Sequence, residues 1–239
     1  MGNLKSLLSR HDAIVFFDTE TNGLDAENNQ IIELAAIRVE AYPDGVPFVR
    51  GQMDTFIRLP DGEKLPEKIV QLTGITDLML QDKGVDPATA ADEITVLMQG
   101  DAVLMCAHNA HFDASFLRPM LKGRNLRGRI DWLDSLTVFK DRRAYPHKLE
   151  NAITAYGLEG KVQNSHRAID DVLALFEVVK AMYEERDDLA EYINIFGFNP
   201  KYGVNGRMVR GVTYVGQSFR QCIAPPNMTL PAFVSGRKK

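Results

Sequence analysis

The order of the apolar segments constrains the fold of this chain more than any other feature. Three β-rich segments come first and lie close together: AIVFFD (13–18), IIELAAIRVE (31–40) and MDTFIRL (53–59). The dipeptides Asn22-Gly23 and Asp44-Gly45, which fall between these segments, are turn signals. This spacing predicts an antiparallel meander of three strands.

Helix-like and strand-like patterns alternate after the meander. The predicted helices cover 66–72, 87–99, 113–121, 149–157 and roughly 167–186, and the predicted strands cover 101–107 and 132–136. Three hairpin-connected strands followed by alternating helices and strands are typical of an α/β sandwich with a mixed sheet, here of about five strands.

The amino-acid composition of the sequence changes at about residue 190. The segment GFNPKYGVNGRMVRGVTYVGQSFRQ is rich in glycine and contains alternating β-forming residues. We therefore expect one domain at 1–190, followed at 191–239 by a basic extension. The pattern predicts a short hairpin or an extended arm there, rather than more of the core.

Composition places the chain among soluble globular proteins. Of its 239 residues, 45% are hydrophobic and 25% are charged. The sequence has neither the roughly 20-residue apolar run of a membrane-spanning helix nor the pattern of a secretory signal. The two cysteines, Cys106 and Cys222, are too few for a disulfide framework. We expect free thiols, a cytoplasmic location and no membrane partner.

Charge is distributed unevenly along a chain whose net charge is −4. Residues 118–148 hold nine Lys/Arg against three Asp, and residues 201–239 hold seven Lys/Arg and no acidic residue. Such asymmetry can create a local positive surface for phosphates, although a solvated face explains charge alone equally well. For 201–239 two interpretations stay open: an additional substrate clamp, or an arm that docks an acidic partner.

Two carboxylates, Asp18 and Glu20, end the first predicted strand. Because side chains alternate along a strand, both point to the same face a few ångströms apart. Adjacent carboxylates raise each other's pKa, and a bound divalent cation removes that repulsion. The alternative for this common pair is two solvated carboxylates.

A second acidic position, Asp113, follows a predicted buried strand within AHNAHFD (107–113). Taken alone, Asp113 at a helix start is better explained as a structural N-cap. The C-terminal edge of a strand is also where open α/β sheets place functional groups.

The long C-terminal helix carries a third acidic position. Its helical phase places Asp171 within the apolar arc and Asp170 on the opposite side, in water. Burying an unpaired carboxylate is costly, so Asp171 requires a cation. His166 lies at the helix entry, where its ordinary pKa suits a general base. A local hydrogen bond is the structural alternative for His166.

These motifs together resemble the DnaQ-like superfamily of 3′–5′ exonucleases, in its histidine-containing branch. The resemblance rests on FDTETNGL (17–24), AHNAHFD (107–113) and HRAIDD (166–171), with LTGIT (72–76) and DSL (134–136) between them. It covers most of the chain up to residue 183. Each motif is weak alone, but three in this order are specific.

The resemblance implies a ribonuclease H-like three-layer fold and a site for two divalent metal ions, Mg²⁺ or the substituting Mn²⁺. The implied metal ligands are Asp18, Glu20, Asp113 and Asp171, and the implied general base is His166. The candidate substrate-binding residues are Thr19, Thr21, Leu24 (a wedge beneath the terminal base) and Asn109. His111 occupies a variable motif position and receives no role.

The expected activity is removal of nucleotides from the 3′ end of DNA, as in the proofreading subunit of bacterial replicative polymerases. An exoribonuclease similar to ribonuclease T or oligoribonuclease shares the same acidic motifs. A non-catalytic module that binds nucleic acid or a polymerase is a third possibility, against which the complete acidic set argues. A polymerase or repair partner fits the first of these functions.

Overall fold

A five-stranded mixed sheet lies at the centre of the computed structural model, which describes residues 4–162 and 167–217. Its strand order is β3-β2-β1-β4-β5. The strands are β1 (Ala13–Thr21), β2 (Ile31–Ala41), β3 (Pro47–Phe56), β4 (Ala102–Ala107) and β5 (Arg129–Asp134). The first three pair antiparallel, whereas β4 pairs parallel with both β1 and β5. The mixed-sheet prediction is confirmed.

Helices cover both faces of this sheet. They are α1 (Lys5–Leu8), α2 (Glu67–Thr73), α3 (Asp77–Lys83), α4 (Pro87–Leu97), α5 (Ala110–Met120), α6 (Ser135–Arg142), α7 (Leu149–Ala155) and α8 (Ala168–Glu185). Ile14 and Phe16 of β1 join the core beneath α8, and Val15 and Phe17 join the core beneath α4 and α5. The alternation of β1 side chains therefore produces three layers, as expected for the ribonuclease H-like fold.

Three of the described helices, α1, α3 and α6, were not predicted from the sequence. α3 begins at Thr76, whose hydroxyl caps the helix by accepting a hydrogen bond from the Met79 N–H. α6 begins directly after β5, because the Asp134 carboxylate accepts from the Leu136 N–H and turns the chain into a helix. The predicted strand at 132–136 therefore extends two residues beyond the C-terminal end of β5, which is Asp134. β3 also begins at residue 47, earlier than predicted.

The described part of the C-terminal extension packs on the main fold. Its strands β6 (Ile195–Phe198) and β7 (Thr213–Gly216) pair in parallel, so the predicted hairpin is wrong. Phe196 is buried and its ring meets Trp132 of β5 edge-on, at 6.5 Å between centroids. The division of the chain at residue 190 stays a prediction, and residues 218–239, with Cys222, lie outside the described residues.

None of the helices in the described ranges is long and apolar enough to cross a membrane.

Candidate active site

The end of β1 brings the first acidic pair onto the face covered by α8. Asp18 and Glu20 continue the row of Ile14 and Phe16, and both are partly exposed. One carboxylate oxygen from each of Asp18, Glu20 and Asp171 lies within 4.8 Å of the other two. Three of the four predicted metal ligands therefore converge, although they are far apart in the sequence.

The first turn of α8 supplies Asp171 to this cluster. Its side chain is 8% exposed, whereas Asp170 is partly exposed, in agreement with the predicted phase. The helix is held against the sheet by its apolar face, where Phe176 packs against Phe16 with ring centroids 5.2 Å apart. Leu173 of the same helix is 42% exposed.

Asp113 reaches the same end of β1 from the opposite layer. It lies in the first turn of α5, while Asn109 occupies the N-cap position, so the N-cap interpretation of Asp113 is wrong. Its Oδ1 accepts hydrogen bonds from the Thr19 backbone N–H, at 3.1 Å, and from the Thr19 hydroxyl, at 2.7 Å. Thr19 thus fixes one oxygen of Asp113 at the end of β1.

Burial and mutual repulsion dominate the electrostatics of this cluster. Burial, followed by the charges of Asp113 and Glu20, raises the pKa of Asp18 well above its ordinary value. Burial, with the Asp171 charge next, raises the pKa of Glu20 to about 8. Burial also raises the pKa of Asp113 to about 7, although the hydrogen bonds from Thr19 oppose the shift. Without a cation, Asp18, Glu20 and Asp113 therefore hold their protons to a higher pH than ordinary carboxyl groups do.

Glu33 and Arg167 support the site, and the sequence motifs did not identify either residue. Glu33 lies directly across the β1–β2 ladder from Glu20 and is fully buried. Its Oε1 accepts two hydrogen bonds from the Arg167 guanidinium, at 2.9 and 2.7 Å, and its Oε2 accepts one from the Ala168 N–H. A charged residue inside the apolar run IIELAAI was the available signal.

The remaining predicted residues differ in their surroundings. Thr21 is buried and its hydroxyl donates to the Gly23 carbonyl, while Leu24 is 79% exposed, as a wedge residue requires. Asn109 is exposed. His166 lies outside the described residues, so its role stays a prediction. The substrate-binding roles of Thr19, Thr21, Leu24 and Asn109 also stay predictions.

The structure corrects part of the predicted positive surface at 118–148. Arg142 is fully buried and forms ion pairs with Asp188 and Glu185, and His147 is also buried. Neither side chain is accessible to a nucleic-acid strand. Tyr145 and Lys148, in the same loop, are exposed.

The donor set of the cluster fits divalent metal ions. It consists of carboxylate oxygens, the ligands that Mg²⁺ and Mn²⁺ prefer, and the convergence of three carboxylates leaves a concentration of negative charge that a cation neutralises.

Comparison with known proteins decides the family. The family model named RNase_T and described as an exonuclease matches residues 15–179, which include β1, α5 and α8 up to its last turns. The chain belongs to this exonuclease family. The match confirms the resemblance to DnaQ-like exonucleases and the assignment as a hydrolase. The exonuclease family acts with divalent metals, which agrees with the acidic cluster.

Curated relatives of this exonuclease include DNA polymerase III PolC-type proteins. The protein from Clostridium perfringens is 31% identical over 198 residues, covering 80% of this chain and 12% of the relative. The protein from Halalkalibacterium halodurans is 36% identical over 185 residues, covering 73% of this chain and 12% of the relative. The exonuclease thus spans about an eighth of the length of these relatives.

Solved structures with the same fold include exonuclease I. The zinc-bound E. coli enzyme in complex with single-stranded DNA superimposes with a TM-score of 0.65 at 22% identity, covering 76% of this chain and 42% of that one. Exonuclease I from Methylocaldum szegediense gives a TM-score of 0.63 at 20% identity, covering 74% of this chain and 41% of that one. These similarities confirm the fold.

Proposed function

We propose that this exonuclease removes nucleotides one at a time from the 3′ end of DNA in the cytoplasm and releases 5′-mononucleotides. The observation that carries the proposal is the convergence of Asp18, Glu20 and Asp171 at the end of β1, with Asp113 approaching from α5. Single-stranded or frayed ends are the expected substrates, because the phosphodiester bond must enter the acidic cluster.

The four carboxylates together would hold two divalent ions. Such ions supply Lewis-acid chemistry to phosphodiester hydrolysis when bound. Asp18 would help to hold both ions, and Glu20 and Asp171 would hold one of them. Asp113, already fixed by Thr19, would act through a weaker contact. His166 would accept the proton of the attacking water.

The names of the similar proteins support DNA rather than RNA as the substrate. The relatives are DNA polymerases, and one structural neighbour was solved with single-stranded DNA. A polymerase or another replication or repair protein is the matching partner. The second candidate is an exoribonuclease, because the same acidic motifs serve that reaction.

Matched oligonucleotides test this function directly. Single-stranded DNA and RNA of one sequence, labelled at the 5′ end, are incubated with Mg²⁺ or Mn²⁺. Stepwise shortening of the DNA by single nucleotides supports the proposal. Faster shortening of the RNA than of the DNA would favour the exoribonuclease. Asp18→Ala should reduce the rate by orders of magnitude without unfolding the protein. Near-normal hydrolysis by that variant would overturn the site assignment.

A further inference from the structure

A cavity of about 360 Å³ opens between the end of β4 and the loop that joins α6 to α7. Asn109, Lys140, Tyr145 and Lys148 contribute polar groups to its lining, and His108, Leu136, His147 and Leu149 also line it. The cavity thus combines basic side chains with an exposed aromatic ring.

Strand topology places one wall of this cavity at the edge of the sheet that carries Asp18 and Glu20. Phe16 of β1 pairs with Cys106 of β4, and both belong to the core beneath α8. Because these neighbouring strands run parallel, the end of β1 and His108, the residue that follows β4, lie at the same edge of the sheet. Asn109, on the rim, lies one helical turn before Asp113.

His108 fixes the loop that forms the outer wall of the cavity. Its Nε2–H donates to the His147 carbonyl at 2.9 Å, and its Nδ1 lies 2.8 Å from the Ser135 hydroxyl. These two contacts tie the loop and the start of α6 to the residue that follows β4.

Tyr145 and Lys148 present the chemistry that single-stranded nucleic acid requires. The Tyr145 ring is 74% exposed and is supported from one side by edge-on contact with His147, with centroids 5.8 Å apart. The Lys148 side chain is 78% exposed and only 3.7 Å from Glu150, an exposed pair that leaves its ammonium accessible to a phosphate. An aromatic face and adjacent cations are typical of sites that bind single strands.

We propose that this cavity binds the nucleotide that precedes the one being removed, with its base on Tyr145 and its phosphate at Lys148. This inference rests on the proposed exonuclease function. Leu24, at the other flank of β1, takes the terminal base, so a strand that crosses the end of β1 leaves the cluster over β4 and reaches the cavity. The site therefore selects substrates that have at least one nucleotide on the leaving-group side.

Two substrates separate the cavity from the catalytic cluster. The p-nitrophenyl ester of thymidine 5′-monophosphate fills the terminal position and has no preceding nucleotide, whereas a single-stranded DNA oligonucleotide fills both positions. The measurement is the ratio of kcat/KM on the oligonucleotide to kcat/KM on the ester. We expect Tyr145→Ala to lower this ratio by about tenfold, as stacking energies for single strands imply, and Tyr145→Phe to restore it.

A matched control and a binding experiment complete the test. Tyr42 is 52% exposed at the opposite end of β2, and Tyr42→Ala should leave the ratio unchanged. Anisotropy of a labelled oligonucleotide in Ca²⁺ should show weaker binding by Tyr145→Ala and by Lys148→Gln. An unchanged ratio with unchanged anisotropy would overturn the cavity assignment. If the wild type cleaves neither substrate, the proposed function fails, and the anisotropy alone decides the cavity.

Discussion

Arg167 and Glu33 form an ion pair at the residue where α8 begins, with two hydrogen bonds of 2.9 and 2.7 Å to a single carboxylate oxygen. The other oxygen of Glu33 accepts the Ala168 N–H, which has no partner within the helix. The pair thus anchors the start of α8 to β2. Since Asp171 follows within the first turn, this anchor also sets the position of a predicted metal ligand.

Removing the buried carboxylate should destabilise the protein and weaken metal binding together. Glu33→Ala removes a fully buried carboxylate that accepts three hydrogen bonds, while the Arg167 side chain is 35% exposed and stays partly hydrated, so the expected cost is about 1–3 kcal/mol. Urea unfolding measures the stability, and calorimetric titration with Mn²⁺ measures the binding. The control is Glu40→Ala on the same strand, which should cost about 1 kcal/mol or less, because the Glu40 side chain is 28% exposed and Arg38 keeps its hydrogen bonds to the Leu97 and Gln99 carbonyls. Similar losses in both variants would contradict the anchoring role.

The two neighbouring aspartates of α8 should respond differently to metal. Saturating Mn²⁺ at about a hundred times Kd stabilises a folded protein by about 2.7 kcal/mol. We expect Mn²⁺ to raise the Tm of the wild type and of Asp170→Asn by the amount that this stabilisation produces. The Tm of Asp171→Asn should rise little, because the carboxylate of Asp171 belongs to the cluster. The reverse pattern in a thermal-shift experiment would show that the helical phase has been assigned to the wrong aspartate.

The raised pKa of Glu20 predicts how the stability of the metal-free protein depends on pH. Its pKa rises from 4.5 to about 8 on folding, so the folded state retains a proton that the unfolded state has released. The corresponding stability is present below about pH 4.5 and is lost as the pH rises towards about 8. Mn²⁺ binds the deprotonated cluster and should therefore raise Tm more at about pH 8.5 than at about pH 6.

Glu20→Gln is the variant that checks this pH dependence. It removes the titrating carboxyl group, so the decline in stability of the metal-free protein between about pH 5 and pH 8 should become shallower. Thermal unfolding in EDTA across this range measures the slope. An identical slope in wild type and variant would exclude Glu20 as a major titrating group.

Arg142 should matter for stability and not for nucleic-acid binding. Its guanidinium is fully buried between Asp188 and Glu185. Arg142→Met should therefore cost about 3–5 kcal/mol of stability. The slope of log K against log salt for oligonucleotide binding should stay the same, because no phosphate contact is lost. If the slope of the variant were smaller by about one unit, Arg142 would have to contact a phosphate of the substrate.

Local periodicity predicted the sheet and the orientation of individual acidic residues, whereas the family resemblance predicted that these residues meet in one site. Alternation along β1 placed Asp18 and Glu20 on one face, and helical phase separated Asp171 from Asp170. The roles of Arg142 and Glu33 were not predictable in this way, since each depends on a partner more than 40 residues distant. Charge content cannot distinguish a guanidinium paired in the core from one that is exposed to phosphates.

The direction of the C-terminal strands was missed for a related reason. Glycine content and alternation are the same for a hairpin and for two parallel strands, and only packing distinguishes them. Here Phe196 packs into the core beside Trp132, and His111 lies 2.6 Å from the Tyr214 hydroxyl. Contacts of this kind, formed across roughly 60 to 100 residues of sequence, fix the strand direction and leave no periodic signal.

Three consecutive residues of β1 reach into two different layers of the molecule. Asp18 and Glu20 meet Asp171 on one side of the sheet, and Thr19 meets Asp113 on the other. A chain whose α5 layer or α8 layer has not yet docked lacks at least one of the four acids at the place of reaction. The complete acidic site therefore exists only when both layers are packed on β1.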